Sequence, residues 1–155
     1  MNPDGPARLF RALWKIPVGD AMTDNFDSGK SGNLVAEIDR ATGKVLRVQS
    51  GAGLVGKEVF EHPETGVTFR NFQIPDWHEY VALAERATSA FPGIRLQHWD
   101  LAITRDGPVI LELNTFGSLD FVQLSHQKGF LDAEFMEFLD DLARKYPAYA
   151  GKGDY

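Results

Sequence analysis

Trp99-Asp100-Leu101-Ala102-Ile103-Thr104-Arg105-Asp106-Gly107-Pro108-Val109-Ile110-Leu111-Glu112-Leu113-Asn114 reads as two apolar strands joined by a tight turn at Asp106-Gly107. Three polar residues, Asp100, Glu112 and Asn114, interrupt strands of otherwise core-like composition. Side chains alternate between faces along a strand, so Glu112 and Asn114 share a face. Asp100 joins them in only one register. A two-residue loop of Asp106-Gly107 sets Leu101 opposite Glu112 and turns Asp100 away. A three-residue loop, Arg105-Asp106-Gly107, sets Asp100 opposite Glu112. It also leaves Trp99, Leu101, Ile103, Val109, Leu111 and Leu113 on one wholly apolar face. The longer loop is the expected one. Gly107 then takes the left-handed position of a type I turn plus G1 bulge. Pro108, which has no N–H, costs little beside it.

Two carboxylates directly opposite on a sheet stand ~4.5–5.5 Å apart at Cβ and repel each other. A cation between them removes that cost. Mg²⁺ suits the pair, because it takes one or two carboxylates and completes its shell with phosphate oxygens and water. Asn114 adds an amide oxygen to the set, and His98 falls on the Asp100 face, opposite Asn114. The same residues also suit a sheet face open to water, with the charges simply solvated.

Working outward, residues 94–104 and 108–114 form this hairpin, and a helix is predicted on each side of it. The first covers residues 76–91, with Asp76 as N-cap, Glu79 as its capping-box partner and Pro75 just before. Trp77, Tyr80, Val81, Ala84, Thr88 and Phe91 recur at helical spacing and predict one buried stripe. Pro92-Gly93 stops it. The second covers residues 132–145, with Phe135, Phe138, Leu139 and Leu142 inward and Pro147 beyond its end. Upstream, residues 33–39 and 44–48 predict another hairpin across Arg40-Ala41-Thr42-Gly43, with Leu34, Ala36 and Ile38 on one face. Residues 7–18 predict an earlier strand, and residues 67–72 a short one. Residues 19–32 make a long polar loop, a length that is usually functional or disordered. Short turns between strands imply an antiparallel sheet. The expected class is α+β: a mainly antiparallel sheet with two helices packed on one face. Residues 1–150 are expected to form a single unit and 151–155 a frayed tail.

The bulk properties are those of a soluble globular chain. Of the 155 residues, 43% are apolar and 25% charged, both ordinary values. A net charge of −6 argues against a nucleic-acid footprint. The chain has no cysteine, which excludes disulfides, thiolate metal sites and a cysteine nucleophile. No apolar run approaches the ~20 residues of a membrane span. The start, Met1-Asn2-Pro3-Asp4-Gly5-Pro6, lacks the basic segment and apolar core of a signal peptide. The default expectation is a cytoplasmic protein with neither nucleic-acid nor membrane partners.

Other candidates are weaker. Asn25 opens the long loop beside Asp24 and could meet a phosphate or substrate, though such residues mostly make turns. Gly29-Lys30-Ser31 is similar to part of a phosphate-binding loop. The first glycine of that motif would fall at Asp24, however, and no strand leads in, so Lys30 is at most a loose phosphate contact. Arg8, Arg11 and Lys15 suit either an anion or plain surface charge. The turn Thr115-Phe116-Gly117-Ser118 just past the acidic strand could offer backbone N–H groups to a carboxylate or phosphate. No nucleophile elbow surrounds Ser118, and the four histidines have no metal-ligand spacing among them.

Asp100 followed by Glu112-Leu113-Asn114 resembles the metal-binding signature of the ATP-grasp superfamily. The wider string looks closest to the sugar-transfer-associated ATP-grasp family. The matching pieces are Thr23-Asp24-Asn25-Phe26, Ile38-Asp39 with Thr42-Gly43, His62-Pro63 with Thr65-Gly66, Ile74-Pro75 with Trp77, Trp99-Asp100 through Asn114, then Asp120 and Gln123. The resemblance spans roughly residues 20–128. It implies Asp100, Glu112 and Asn114 as Mg²⁺ ligands against ATP phosphates. It implies Asn25 as a contact near the phosphates, which joins Lys30 from its loop and His98 from its strand face as ATP-side candidates, and it implies Thr115, Gly117 and Ser118 on the side of a small-molecule carboxylate substrate. The implied activity is ATP-dependent carboxylate ligation through an acyl phosphate, in cell-surface sugar or polysaccharide metabolism. Only the later lobe of the two that clamp ATP is legible here. The glycine-rich flap, ATP-binding lysines and adenine hinge of the other have no counterpart, and the family's glycine pair appears as Gly29-Lys30-Ser31-Gly32. The expectation is therefore a piece of a larger two-lobe domain, or a protein that takes its other lobe from a separate chain. The alternative is a non-catalytic, truncated ATP-grasp-like binding or interaction module. A metal-dependent hydrolase is a weaker third reading, because no general base or histidine ligand accompanies the carboxylates.

Overall fold

The computed structural model describes residues 6–20 and 23–147; the expected tail lies outside them. Four antiparallel strands, β1 (Ala12–Ile16), β2 (Leu34–Ile38), β3 (Val45–Ser50) and β4 (Lys57–Glu58), form one sheet in that order. The acidic hairpin, β5 (His98–Thr104) and β6 (Gly107–Asn114), is a second, two-stranded sheet. Three helices complete an α+β fold: α1 (Trp77–Thr88), α2 (Leu119–His126) and α3 (Ala133–Lys145).

The central strand β2 sets the layers. Leu34, Ala36 and Ile38 point to one face and are 0–3% exposed. They pack with Ile16, Val48, Phe69, Ile74 and Tyr80 in the main core, so α1 lies on this face through Tyr80, with Trp77 at its margin. The turn before β3 requires glycine. Gly43 has φ +75°, and a Cβ there would stand 2.5 Å from the Trp77 ring. Trp77 Nε1 donates to Arg40 O at 3.0 Å and seals the helix onto that turn. Val35, on the opposite face, is also buried. That face receives α2, which was not legible in the sequence. Gln127, just after it, donates to Gln49 at 2.6 Å, and Gln49 pairs with Val35.

Both expected helices form, with different starts. Asp132 accepts from Phe135 N at 3.1 Å and caps α3. Asp76 has φ +51° and makes no side-chain cap. With the backbone left-handed at Asp76, Glu79 N donates instead to Asp76 O at 2.8 Å. The capping box is therefore not formed. Phe91 falls beyond α1 and is exposed, as is Leu139 on α3. Phe135 is buried against Phe10, Phe130 and Phe138. Residues 67–72 contribute one isolated bridge, Glu61 with Thr68, rather than a strand. No helix among the described residues is long and apolar enough to cross a membrane.

Candidate functional site

Asp100 stands opposite Glu112, and His98 opposite Asn114. The expected pairing is present, but the turn that produces it is different. Thr104 pairs with Gly107 and Ile103 with Pro108, so the loop is Arg105-Asp106. Thr104 Oγ1 accepts from Asp106 N at 3.2 Å and donates to Gly107 O at 2.6 Å, which holds the loop closed. Gly107 keeps a positive φ of +101°. The extra residue lies beside the site and not at the turn: the register shifts between Asp100 and Leu101, with Ile110 opposite Leu101 and Glu112 opposite Asp100. Leu111 is thus the bulged residue and is 63% exposed. The wholly apolar face is corrected accordingly. Val109 pairs with Ala102, and Ile103, Val109 and Leu111 are all exposed.

Two charges absent from the expected ligand set complete the arrangement. Lys15 Nζ lies 3.1 Å from Asp100 Oδ2 and 3.0 Å from Asp24 Oδ2. Burial draws the Lys15 pKa down, but the hydrogen bonds and charges of Asp100 and Asp24 together outweigh it and hold the ammonium above its ordinary value. Asp24 is delivered by Asn33, which is 1% exposed. Its Oδ1 accepts from Val18 N at 2.9 Å, and its Nδ2 donates to Thr23 O at 3.0 Å and Asn25 O at 2.9 Å. One buried amide therefore ties the loop's two ends together, with Asp24 between the held carbonyls. Lys15 shares a face with Leu13 on an edge strand and looks like a surface charge until the distant hairpin is folded against it.

Asn114 Nδ2 donates to Glu112 Oε1 at 2.9 Å. This orients the carboxylate and leaves Asn114 Oδ1 as the amide atom able to meet a cation. Among the described residues no three His, Cys, Asp or Glu side chains group as a metal site, so a third ligand would have to be the Asn114 amide. Two opposed carboxylates and an amide oxygen are an all-oxygen donor set, which fits Mg²⁺ in kind. His98 is half-buried, and burial pulls its pKa below the ordinary value against the opposing pull of Asp100. Gly117 presses on its ring: a Cβ there would stand 2.1 Å from His98 Nδ1.

A cavity of about 1020 Å³ opens beside these groups, with Lys15, Asp24, His98, Asp100, Asn114 and Ser118 on its wall. Gly117 also lines it, whereas Asn25, Lys30, Glu112 and Thr115 do not. Asn25 serves the loop through its backbone carbonyl. Lys30 closes the short 3-10 turn Asp27–Gly29 through its backbone N–H. The structure thus brings His98, Asp100, Glu112, Asn114 and Gly117 together and leaves Lys30 in the loop.

No curated protein and no solved structure matches the chain. The family model described as sugar-transfer associated ATP-grasp matches residues 7–136, from ahead of β1 through the hairpin and into α3. A match of that extent covers every group just described, and the chain belongs to the sugar-transfer associated ATP-grasp family.

Proposed function

We propose that this chain supplies the Mg²⁺–phosphate half of an ATP-dependent carboxylate ligase working through an acyl phosphate. The family match supports an ATP-binding, ATP-grasp-like function in general terms. The observation behind the finer reading is the opposition of Asp100 and Glu112, with Asn114 orienting Glu112 and Lys15 at the Asp100 carboxylate. Asp100, Glu112 and Asn114 would hold Mg²⁺, whose chemistry is to neutralise charge on a transferring phosphoryl group. Lys15 needs an anionic partner in either state, and a phosphate oxygen can replace a carboxylate as that partner. His98, held by Gly117, bounds the site next to Asp100. Gly117 and Ser118 stand at the cavity on the side assigned to a small-molecule carboxylate, and Thr115 belongs to the same turn. Asn25 is assigned to ATP by resemblance alone, and Lys30 only by its place in the glycine-bearing loop. The other lobe of the clamp would come from a separate chain or segment. The setting we propose is cell-surface sugar or polysaccharide metabolism, with the cytoplasm as the place of reaction.

The test is calorimetric titration of the chain with a non-hydrolysable ATP analogue, with and without Mg²⁺. Binding should require Mg²⁺ and vanish in Glu112→Gln; unchanged binding in that variant would sink the reading. One observation favours a second reading, a non-catalytic binding or interaction module. Lys15 already pairs with both Asp100 and Asp24, so part of this negative charge is compensated without a metal. That reading predicts no nucleotide binding at any Mg²⁺ concentration.

A further inference from the structure

Between β3 and β4 the chain reads Gly51-Ala52-Gly53-Leu54-Val55-Gly56-Lys57, three glycines in G-x-G-x-x-G spacing followed by a lysine. The loop joins two antiparallel strands through a short 3-10 turn, Gly53–Val55. It therefore lacks the strand-to-helix step of a dinucleotide fingerprint. Gly51 and Gly53 have φ of +66° and +56°, left-handed values that glycine adopts freely.

The loop borders an open cavity of about 540 Å³ lined by Arg47, Gln49, Lys57, Glu58, Leu124 and Gln127, with Gly53 and Gly56. None of these residues lines the hairpin cavity. Arg47 and Lys57 form no ion pair with a described residue, and Glu58 is the one carboxylate in the wall. The cavity is thus net positive in a chain of net charge −6. Gln49 is 7% exposed. Its Oε1 is taken by Gln127 at 2.6 Å, and its Nε2 gives a long 3.3 Å bond to Gly51 O. An amide nitrogen has two hydrogens, so one donor remains. Gly56 lies directly against that nitrogen, since a Cβ there would stand 2.8 Å from it.

We propose that this cavity binds the phosphate group of a small phosphorylated ligand, at a site separate from the hairpin. Arg47 and Lys57 supply the charge, Gln49 Nε2 a directed donor, and the glycine loop a close approach of the backbone. The wall sets two cations and two amides beside a single apolar side chain, Leu124, which suits a hydrated oxyanion better than a peptide or lipid chain. The proposal does not depend on metal binding at Asp100 and Glu112.

The test follows amide and side-chain NH₂ resonances of the ¹⁵N-labelled chain during titration with inorganic phosphate and, separately, with a nucleoside monophosphate. Sodium chloride at matched ionic strength is the control. Saturable shifts should centre on Gly53, Gly56 and the Gln49 side chain. Lys57→Gln and Arg47→Gln should each weaken them at least tenfold, and Glu112→Gln should leave them unchanged. A response to the monophosphate but not to free phosphate assigns an organic ligand; a response to both assigns the phosphate group alone. Lys57 is exposed, so its variant keeps the test decisive if Arg47→Gln unfolds. Shifts that chloride reproduces, shifts centred on the hairpin, or shifts that Lys57→Gln leaves intact would each overturn the proposal.

Discussion

Lys15 Nζ stands 3.1 Å from Asp100 Oδ2, so an ammonium on β1 meets a carboxylate on β5. The two strands belong to different sheets. One charge therefore links the main sheet to the hairpin, and through Asp24 it links the long loop as well. A cation arriving at Asp100 must compete with this ammonium or work beside it.

Replacing Lys15 by Met removes that competitor. The pair is partly buried, between the exposed and interior limits, so Lys15→Met should cost about 1–2 kcal/mol in the absence of metal. The uncovered carboxylates should then respond to Mg²⁺. The melting temperature of the variant should rise with millimolar Mg²⁺ more than that of the parent. Equal responses, read by differential scanning calorimetry, would show that Lys15 and the cation do not share Asp100.

Gly117→Ala tests the wall of the site with little effect on the core. The new Cβ would overlap the His98 ring, which stands 2.1–2.4 Å away, and a side chain can turn where backbone cannot. The expected stability loss is about 1 kcal/mol, at the low end for overpacking. The His98 imidazole resonances should move, and affinity for the Mg²⁺–ATP analogue should fall at least fivefold. Unmoved His98 resonances would contradict the packing described.

Asn33→Ala should be far more costly. The amide is buried and makes three bonds to backbone groups, and truncation leaves a part-buried N–H and two carbonyls in need of partners. An expected loss of about 3 kcal/mol follows from the cost of unsatisfied buried groups. Hydrogen exchange at Val18 N–H should accelerate relative to β2. A loss below about 1 kcal/mol in urea unfolding would mean that water replaces the amide readily.

These residues also mark how far the sequence could be read. The opposition of Asp100 to Glu112 was legible because only one offset between the strands lets three polar residues share a face. Where the extra residue sits was not. A bulge at Gly107 and a bulge at Leu111 give the same pairing at the site, and only packing decides between them. Leu111 looked like core because it is apolar, yet the bulge leaves it in solvent. Asp76 had every local mark of a cap, but cap geometry depends on its own φ. Lys15 and Asp24 carried no local signal, since the Asp100 carboxylate that completes their cluster lies 85 positions beyond Lys15 in the chain. The four-residue turn around Gly43 was legible, but the Trp77 ring that makes glycine necessary there was not.

The last prediction concerns the cap of α3. Asp132 accepts hydrogen bonds from Lys128 and from Phe135 N–H and pairs with Arg11, and these interactions hold its carboxyl well below the usual carboxylate range. A depressed folded pKa means the unfolded chain takes up the proton first as pH falls. The stabilisation is therefore fully present above the ordinary carboxylate value and is lost progressively as pH drops toward the folded one. Asp132→Asn cannot titrate and keeps an acceptor oxygen for Phe135. The stability gap between parent and variant, measured by urea midpoints, should stay constant above about pH 5 and narrow below about pH 4. Other carboxylates titrate alike in both proteins and cancel from the difference. A gap that stays level or widens down to about pH 2 would mean that Asp132 is not ion-paired in solution, and that Arg11, just ahead of β1, does not fasten the start of α3.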